Sequence, residues 1–288
     1  MRCFQALCRW HGWHHIRSYI RFHDPDAMKT LGMRPAAAWI PRERVERPVK
    51  CTLPESWQLI GEGKGKLAKM AWQYMEGRGF DIDHLASLGI GWCSTGKWSG
   101  NIILPWRDET GAMKYYQGRD FTDGLLNDGR WKFPAEGETP LGASDLVYNQ
   151  PKILDIGELW TVEGAMDALT MDGVGLPGKS MSYAHIEAIG GSLATDVILC
   201  LDEGAWLDVL RMAGPLTRMG KRVWGVDFRG VGDWEDRKKD PNSIGKEAVL
   251  SMDRVLLDIE GIARELAAVR KSEGGWTHRG LVGEVSLW

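Results

Sequence analysis

The spacing of apolar and polar positions changes character along this chain. Residues 64–79, KGKLAKMAWQYMEGRG, set apolar side chains at helical intervals and stop at Gly77-Arg78-Gly79, which predicts a helix with a glycine-rich end. A second short helix is predicted over 82–88. The stretch NIILPWRDETGAMKYYQGRDF then reads as a hairpin, with a strand over 102–106, a turn at Glu109-Thr110-Gly111 and a return over 113–118. The following LLNDGRWKFPAEGETPLG is rich in turn residues. From about Leu146 the period alternates. Strands predicted over 159–162, 174–176, 197–201 and 222–227 are interleaved with helices over 165–171, 183–189, 205–219 and 246–268. Such alternation implies a parallel sheet with right-handed crossovers, so the expected fold class is α/β. No internal repeat is visible.

With 288 residues, of which 43% are hydrophobic and 26% charged, the chain is long enough for two domains, or one large domain with an appendage, around a real core. No apolar run approaches the ~20 residues of a membrane span. The opening MRCFQALCRWHGWHH carries charge and histidine where a signal peptide needs apolar residues, so a cytoplasmic protein with no membrane partner is expected. Five scattered cysteines argue against a disulfide framework. The net charge of −3 speaks against tight, nonspecific nucleic-acid binding, but its distribution is uneven: residues 1–50 hold ten Lys/Arg against four acids, leaving the remainder at −9. A basic head on an acidic body is either a nucleic-acid contact or a solvated tail. Some of the 15 tryptophans are candidates for stacking on bases.

The chemistry sits in two segments, LWTVEGAMDAL (159–169) and VILCLDEGAW (197–206). Each is an apolar run that ends in carboxylates and a glycine before turning helical. Glu163 lies where strand gives way to helix, Gly164 permits the turn, and Asp167 follows in the first helical turn. Asp202 and Glu203 end the next strand 39 residues later, and Asp240 comes after a further 38, in DRKKDPNS. Helix capping would account for any one of these acids. Three stations recurring at strand ends instead point to the ligand-binding edge of an open α/β sheet, where carboxylates can hold Mg²⁺ against phosphate oxygens.

This pattern resembles the TOPRIM domain of DnaG-type and bacteriophage primases and of topoisomerases. VEGAMDAL matches the family's Glu-Gly strand end with an Asp four residues after the Glu. The second motif departs from the family's Asp-x-Asp, reading Asp202-Glu203-Gly204, and the third lacks the further acid, reading Asp240-Pro241-Asn242-Ser243. The resemblance extends upstream through YMEGRG (74–79), NIILPWRDETGAMKYYQGRDF (101–121) and WKFPAEGETPLGASDLVYN (131–149), a primase block that topoisomerases lack. Order and spacing agree across about 190 of the 288 residues.

The resemblance implies a basic N-terminal arm over 1–52, a smaller α+β primase subdomain over 53–150, a Rossmann-like TOPRIM sheet flanked by helices over 151–245, and a helix and tail over 246–288. It implies a primase-type nucleotidyltransferase, a DNA-directed RNA polymerase that makes short RNA primers on single-stranded DNA from ribonucleoside triphosphates. Glu163, Asp167 and Asp202 would be catalytic. Glu163, Asp202, Glu203 and Asp240 would hold Mg²⁺ or Mn²⁺. Arg119, Lys132, Asn101 and Tyr148 would line the nucleotide and template site, with Asn101 standing where the family usually has arginine. A separate replicative helicase is the expected partner, and a phage or mobile-element origin, in a host cytoplasm, the expected setting. Cys3, Cys8, His11, His14, His15 and His23 offer Zn²⁺ ligands, but without the paired close spacings of a zinc ribbon a basic arm with free thiols is the plainer expectation. Two alternatives remain: a degenerate TOPRIM protein that binds single-stranded DNA or nucleotide without polymerising, and a P-loop-like ATPase using GVGLPGKS (173–180). The second needs a buried strand before the loop and a helix directly after it, whereas helix is expected before it.

Overall fold

The structure, a computed structural model, describes residues 47–127, 129–228 and 240–272. Residues 1–46 of the N-terminal arm, with Cys3, Cys8 and the histidines from His11 to His23, most of the loop leading to Asp240, and the tail lie outside the described residues.

Two five-stranded sheets organise the described chain. The first is an antiparallel meander of β1 (Trp57–Leu59), β2 (Gly91–Cys93), β3 (Asn101–Arg107), β4 (Met113–Asp120) and β5 (Trp131–Lys132). Helices α1 (Lys66–Glu76) and α2 (Ile82–Ser87) lie between β1 and β2 in sequence. The predicted hairpin is the β3–β4 pair, which extends further than expected at both ends. Strand periodicity sorts its side chains: Ile102, Leu104 and Trp106 enter one core with Met75 and Leu85, while Ile103 faces another with Cys93, Trp98 and Tyr116. Pro105 is tolerated within β3 because β2 pairs only with Ile102 and Ile103, so the missing N–H deprives no β2 partner.

The second sheet has the order β10-β9-β8-β6-β7. Its strands are β6 (Glu158–Val162), β7 (Val174–Gly175), β8 (Asp196–Cys200), β9 (Arg222–Val226) and β10 (Arg254–Leu256). β7, β6, β8 and β9 are mutually parallel, and β10 runs antiparallel to β9. The intervening helices are α3 (Ala165–Met171), α4 (Tyr183–Gly190) and α5 (Trp206–Arg218). β8 is buried along its whole length, as a central parallel strand must be. Trp160, Val162, Ile198 and Cys200 turn toward the core shared with the antiparallel sheet; Leu159, Val197, Leu199 and Leu201 turn toward the core built with α5. The α/β expectation is met.

The single helix expected over 246–268 is instead α7 (Lys246–Leu250), strand β10 and α8 (Ile259–Ser272), and a short α6 (Pro241–Ile244) precedes them. Ser251 and Met252 end α7, β10 adds to the sheet edge, and the Asp258 carboxylate restarts the helix by accepting from Gly261 N–H at 2.7 Å. Those hydrogen bonds outweigh the helical spacing of apolar residues across 246–268.

Leu199 is fully buried on β8, facing α5. Leu199→Ala is expected to lower the unfolding free energy by about 3 kcal/mol, read as a shift of the urea midpoint at unchanged slope; a shift under a third of that would contradict the described packing.

Candidate functional site

β6 and β8 are adjacent and in register, Val162 pairing with Cys200, so the residues that follow them emerge side by side at the carboxyl edge of the sheet. Glu163 and Asp202 therefore stand together on the rim of a cleft of about 390 Å³, joined by Asp167 from α3 and Asp240 before α6. Three arginines border the same cleft: Arg78 after α1, Arg119 on β4 and Arg130 before β5. Asp202 is only 5% exposed. Burial pushes the neighbouring Cys200 thiol pKa up, and the charges of Asp167 and Asp202 push it further, which marks the negative field at this edge.

The carboxylates are positioned by local structure. Gly164 opens α3, and the strand edge beside it is tight: a Cβ on Gly175 would come within 2.8 Å of the Gly164 carbonyl oxygen, so only glycine lets β7 lie against that turn. Asp240 caps α6, accepting from Ser243 N–H at 2.8 Å. Asp167 accepts from Asn242 N–H at 3.1 Å. The Asn242 amide donates to Thr170 Oγ1 at 2.9 Å and accepts from Arg78 Nη1 at 2.6 Å. One asparagine thus ties α6 to α3 and to the arginine wall. That wall is braced in turn: Arg119 Nε donates to the Tyr74 hydroxyl at 2.8 Å, the Arg119 guanidinium lies over Trp131 at 4.9 Å, and Arg78 lies over Tyr74 at 4.8 Å.

Of the residues singled out in the sequence, the cleft gathers Glu163, Asp167, Asp202, Asp240 and Arg119. It does not gather the rest. Glu203 is exposed and borders a second, small pocket that shares Asp202 with the cleft and is lined also by Gly204, Asp227 and Phe228. Gly204 has φ 82°, a left-handed turn that favours glycine, which accounts for the missing second acid of Asp-x-Asp. Lys132 Nζ donates to the Lys97 carbonyl at 2.6 Å and to Asn127 Oδ1 at 2.8 Å. Asn101 is fully buried and donates to Trp98 O, Ser99 O and Asn127 Oδ1. Asp120 completes this network, accepting from Thr122, Gly124 and Asn127; burial alone would raise its carboxyl pKa, but these hydrogen bonds outweigh it and lower the value. Lys132 and Asn101 therefore fix the loop that delivers Arg130 and Trp131, rather than lining the cleft. Tyr148 is buried, packs its ring edge-on against Trp106, and lends its main chain to the edge of β7.

The GVGLPGKS segment is no phosphate loop. It follows α3 through the two-residue edge strand β7, and Lys179 and Ser180 are exposed three or more residues before α4, whose cap is Ser182. A P-loop needs a strand that runs directly into a helix N-terminus. Leu176, Pro177 and Gly178 instead wall the cleft. The sequence reading missed Arg78, Arg130, Gln117 and Asn242 as cleft residues. For Arg78 the signal was the glycine-flanked arginine of YMEGRG.

Among the described residues no three His, Cys, Asp or Glu side chains group closely enough to hold a metal ion by themselves. The donor set nevertheless fits Mg²⁺ or Mn²⁺. Hard carboxylate oxygens suit both, and Mg²⁺ is ordinarily held by one or two carboxylates with water and substrate phosphates completing its shell.

No protein-family model matches the sequence, and no curated protein matches it. Solved structures do. A DnaG primase catalytic domain bound to single-stranded DNA superposes with TM-score 0.55 at 18% identity, covering 73% of this chain and 78% of that one. The E. coli primase catalytic core gives 0.53 at 17%, covering 73% and 79%. The RNA polymerase domain of Mycobacterium tuberculosis primase DnaG, in complex with a double-stranded DNA oligomer bearing a 6-nucleotide overhang, gives 0.54 at 15%, covering 72% and 79%. The protein is thus of the mixed α/β class with an antiparallel sheet preceding a largely parallel one. More particularly, it has the catalytic-core fold of DnaG-type primases.

Asn242→Asp would add a fifth acid to the cleft while keeping an acceptor for Arg78. Mn²⁺ titrations followed by electron paramagnetic resonance should show affinity rising roughly fivefold or more; unchanged affinity would place Asn242 outside the cation's reach.

Proposed function

We propose that this chain is a primase-type nucleotidyltransferase, making short RNA primers on single-stranded DNA, and that its parallel sheet is a TOPRIM domain. One observation carries the reading: a carboxylate rim, built by the ends of β6 and β8 with Asp167 on α3 and Asp240 capping α6, and a wall of Arg78, Arg119 and Arg130 border a single cleft. Triphosphate chemistry needs both charges. The arginines neutralise and orient phosphate oxygens, and the acids serve a divalent cation and a hydroxyl proton.

In this scheme Glu163 and Asp202 hold Mg²⁺ or Mn²⁺, and Asp167 and Asp240 frame the same rim. The cation, when bound, supplies charge neutralisation at the triphosphate. Arg78, Arg119 and Arg130 grip the phosphate oxygens in line with the attacking group. The 3′-hydroxyl of one nucleotide attacks the α-phosphorus of the next, the new O–P bond forms as the α–β bridge breaks, and pyrophosphate leaves. Glu163, at the strand end and half-buried, would either hold the cation with Asp202 or take the hydroxyl proton. Single-stranded DNA is the template and ribonucleoside triphosphates the substrates, with a separate helicase opening the duplex. The two sheets correspond to a primase subdomain (53–150) and a TOPRIM domain (from 151).

A second reading has its own support. Glu203 does not line the cleft, Gly204 and Asn242 stand where the family carries acids, and Asp167 and Asp240 already accept main-chain hydrogen bonds. A protein so changed would bind single-stranded DNA or nucleotide without polymerising.

The two separate in a primer-synthesis assay with labelled ribonucleotides, single-stranded DNA and Mg²⁺. The first reading expects dinucleotide and longer products from the parent. It expects Glu163→Gln and Asp202→Asn each to cut synthesis by at least about 100-fold with unchanged thermal melting. Full activity in either variant would sink the assignment. DNA binding by a parent that makes no product would favour the second.

A further inference from the structure

We infer that Gln117 and Phe133 form a nucleobase subsite within the cleft, Phe133 supplying a stacking face and the Gln117 amide the group that pairs with the base edge. The inference rests on reading the cleft as a nucleotide and template site and adds what would hold the base there.

β4 presents Tyr115, Gln117 and Arg119 on one face, two residues apart. Tyr115 is committed to the core, packing edge-on against Trp106. Arg119 is committed to Tyr74 and Trp131. Gln117, between them, lines the cleft, is only 4% exposed, and its amide makes no hydrogen bond among the described residues. The amide is not among the fully buried polar atoms without a partner, so it opens onto the cleft with both its donor and its acceptor available to a ligand.

Phe133 has the opposite anomaly. It follows β5, lines the same cleft, and is 48% exposed although apolar. The register that pairs Gly118 with Lys132 and Arg119 with Trp131 carries Phe133 alongside Gln117 on one face. An open aromatic face beside an unused amide, itself both donor and acceptor, matches one chemistry. Every nucleobase has a π-face to stack and an edge offering donors and acceptors. A phosphate would need neither group, and the arginines already provide for it. An aliphatic ligand would leave the amide unserved.

That base belongs either to the template strand or to an incoming nucleotide, and the test separates the two. Binding is measured for the parent, Phe133→Ala, Phe133→Tyr and Gln117→Leu. The probes are a labelled single-stranded oligodeoxynucleotide of mixed sequence, the same backbone made abasic, and ATP with Mg²⁺. Phe133→Ala should weaken a base-bearing probe about tenfold, Phe133→Tyr should restore it, and abasic binding should be unchanged. Gln117→Leu should weaken the same probe severalfold while melting close to the parent's temperature, because the amide makes no hydrogen bond among the described residues. Loss confined to the oligonucleotide assigns a template base; loss confined to ATP assigns the incoming nucleotide. The inference is overturned if both variants bind every probe like the parent, or if Gln117→Leu melts well below it, which would make the amide structural. A parent that binds neither ATP nor oligonucleotide would remove the cleft's proposed role and this subsite with it.

Discussion

Asn242 makes three hydrogen bonds that reach two other parts of the fold: its N–H to Asp167 and its amide nitrogen to Thr170, both on α3, and its amide oxygen to Arg78 after α1. Through them the segment after Asp240 is fastened to α3, and the end of α1 is fastened to both. Charge alone would not achieve this. Carboxylates brought to one rim repel each other, and arginines drawn toward them would collapse onto the acids as ion pairs and close the space between. A neutral asparagine seated between Asp167 and Arg78 gives each a partner without neutralising either, and the cleft stays open between opposite walls.

The rest of the site follows from topology. Parallel strands deliver their following residues to one edge, so Glu163 and Asp202 meet although 39 residues separate them. The antiparallel meander supplies the other wall through a loop clamped by Asp120, Asn101, Asn127 and Lys132. These polar residues do no chemistry in the cleft, yet Arg130, Trp131 and Phe133 stand where they do because that loop is pinned. Gly204, in a left-handed turn, stands where the Asp-x-Asp pattern has its second acid, so the rim is leaner in acids than that pattern would make it.

The α/β alternation, the hairpin and the three acidic stations were legible in the sequence because each rests on local periodicity or on a strand-to-helix turn with its own residue signature. What was not legible depended on distant partners. Nothing near Lys132 announces that its amine is spent on Lys97 O and Asn127, and a lysine in a turn-rich segment reads the same either way. Tyr148 looks like a binding tyrosine until its ring is found against Trp106. The apolar spacing over 246–268 was genuine, but a caps-and-strand arrangement at 251–258 overrode it. The Walker-like GVGLPGKS shows the reverse: a complete motif without the strand and helix that give it meaning.

The central claim is that the acidic rim and the arginine wall act on one ligand, a divalent cation with a polyphosphate. Crystals grown with Mn²⁺ and a non-hydrolysable ribonucleoside triphosphate test it directly through manganese anomalous scattering. The account predicts a peak within about 2.3 Å of carboxylate oxygens of Glu163 and Asp202, with phosphate oxygens turned toward Arg78, Arg119 and Arg130. A nucleotide bound elsewhere, or a cation that avoids both carboxylates, would contradict it.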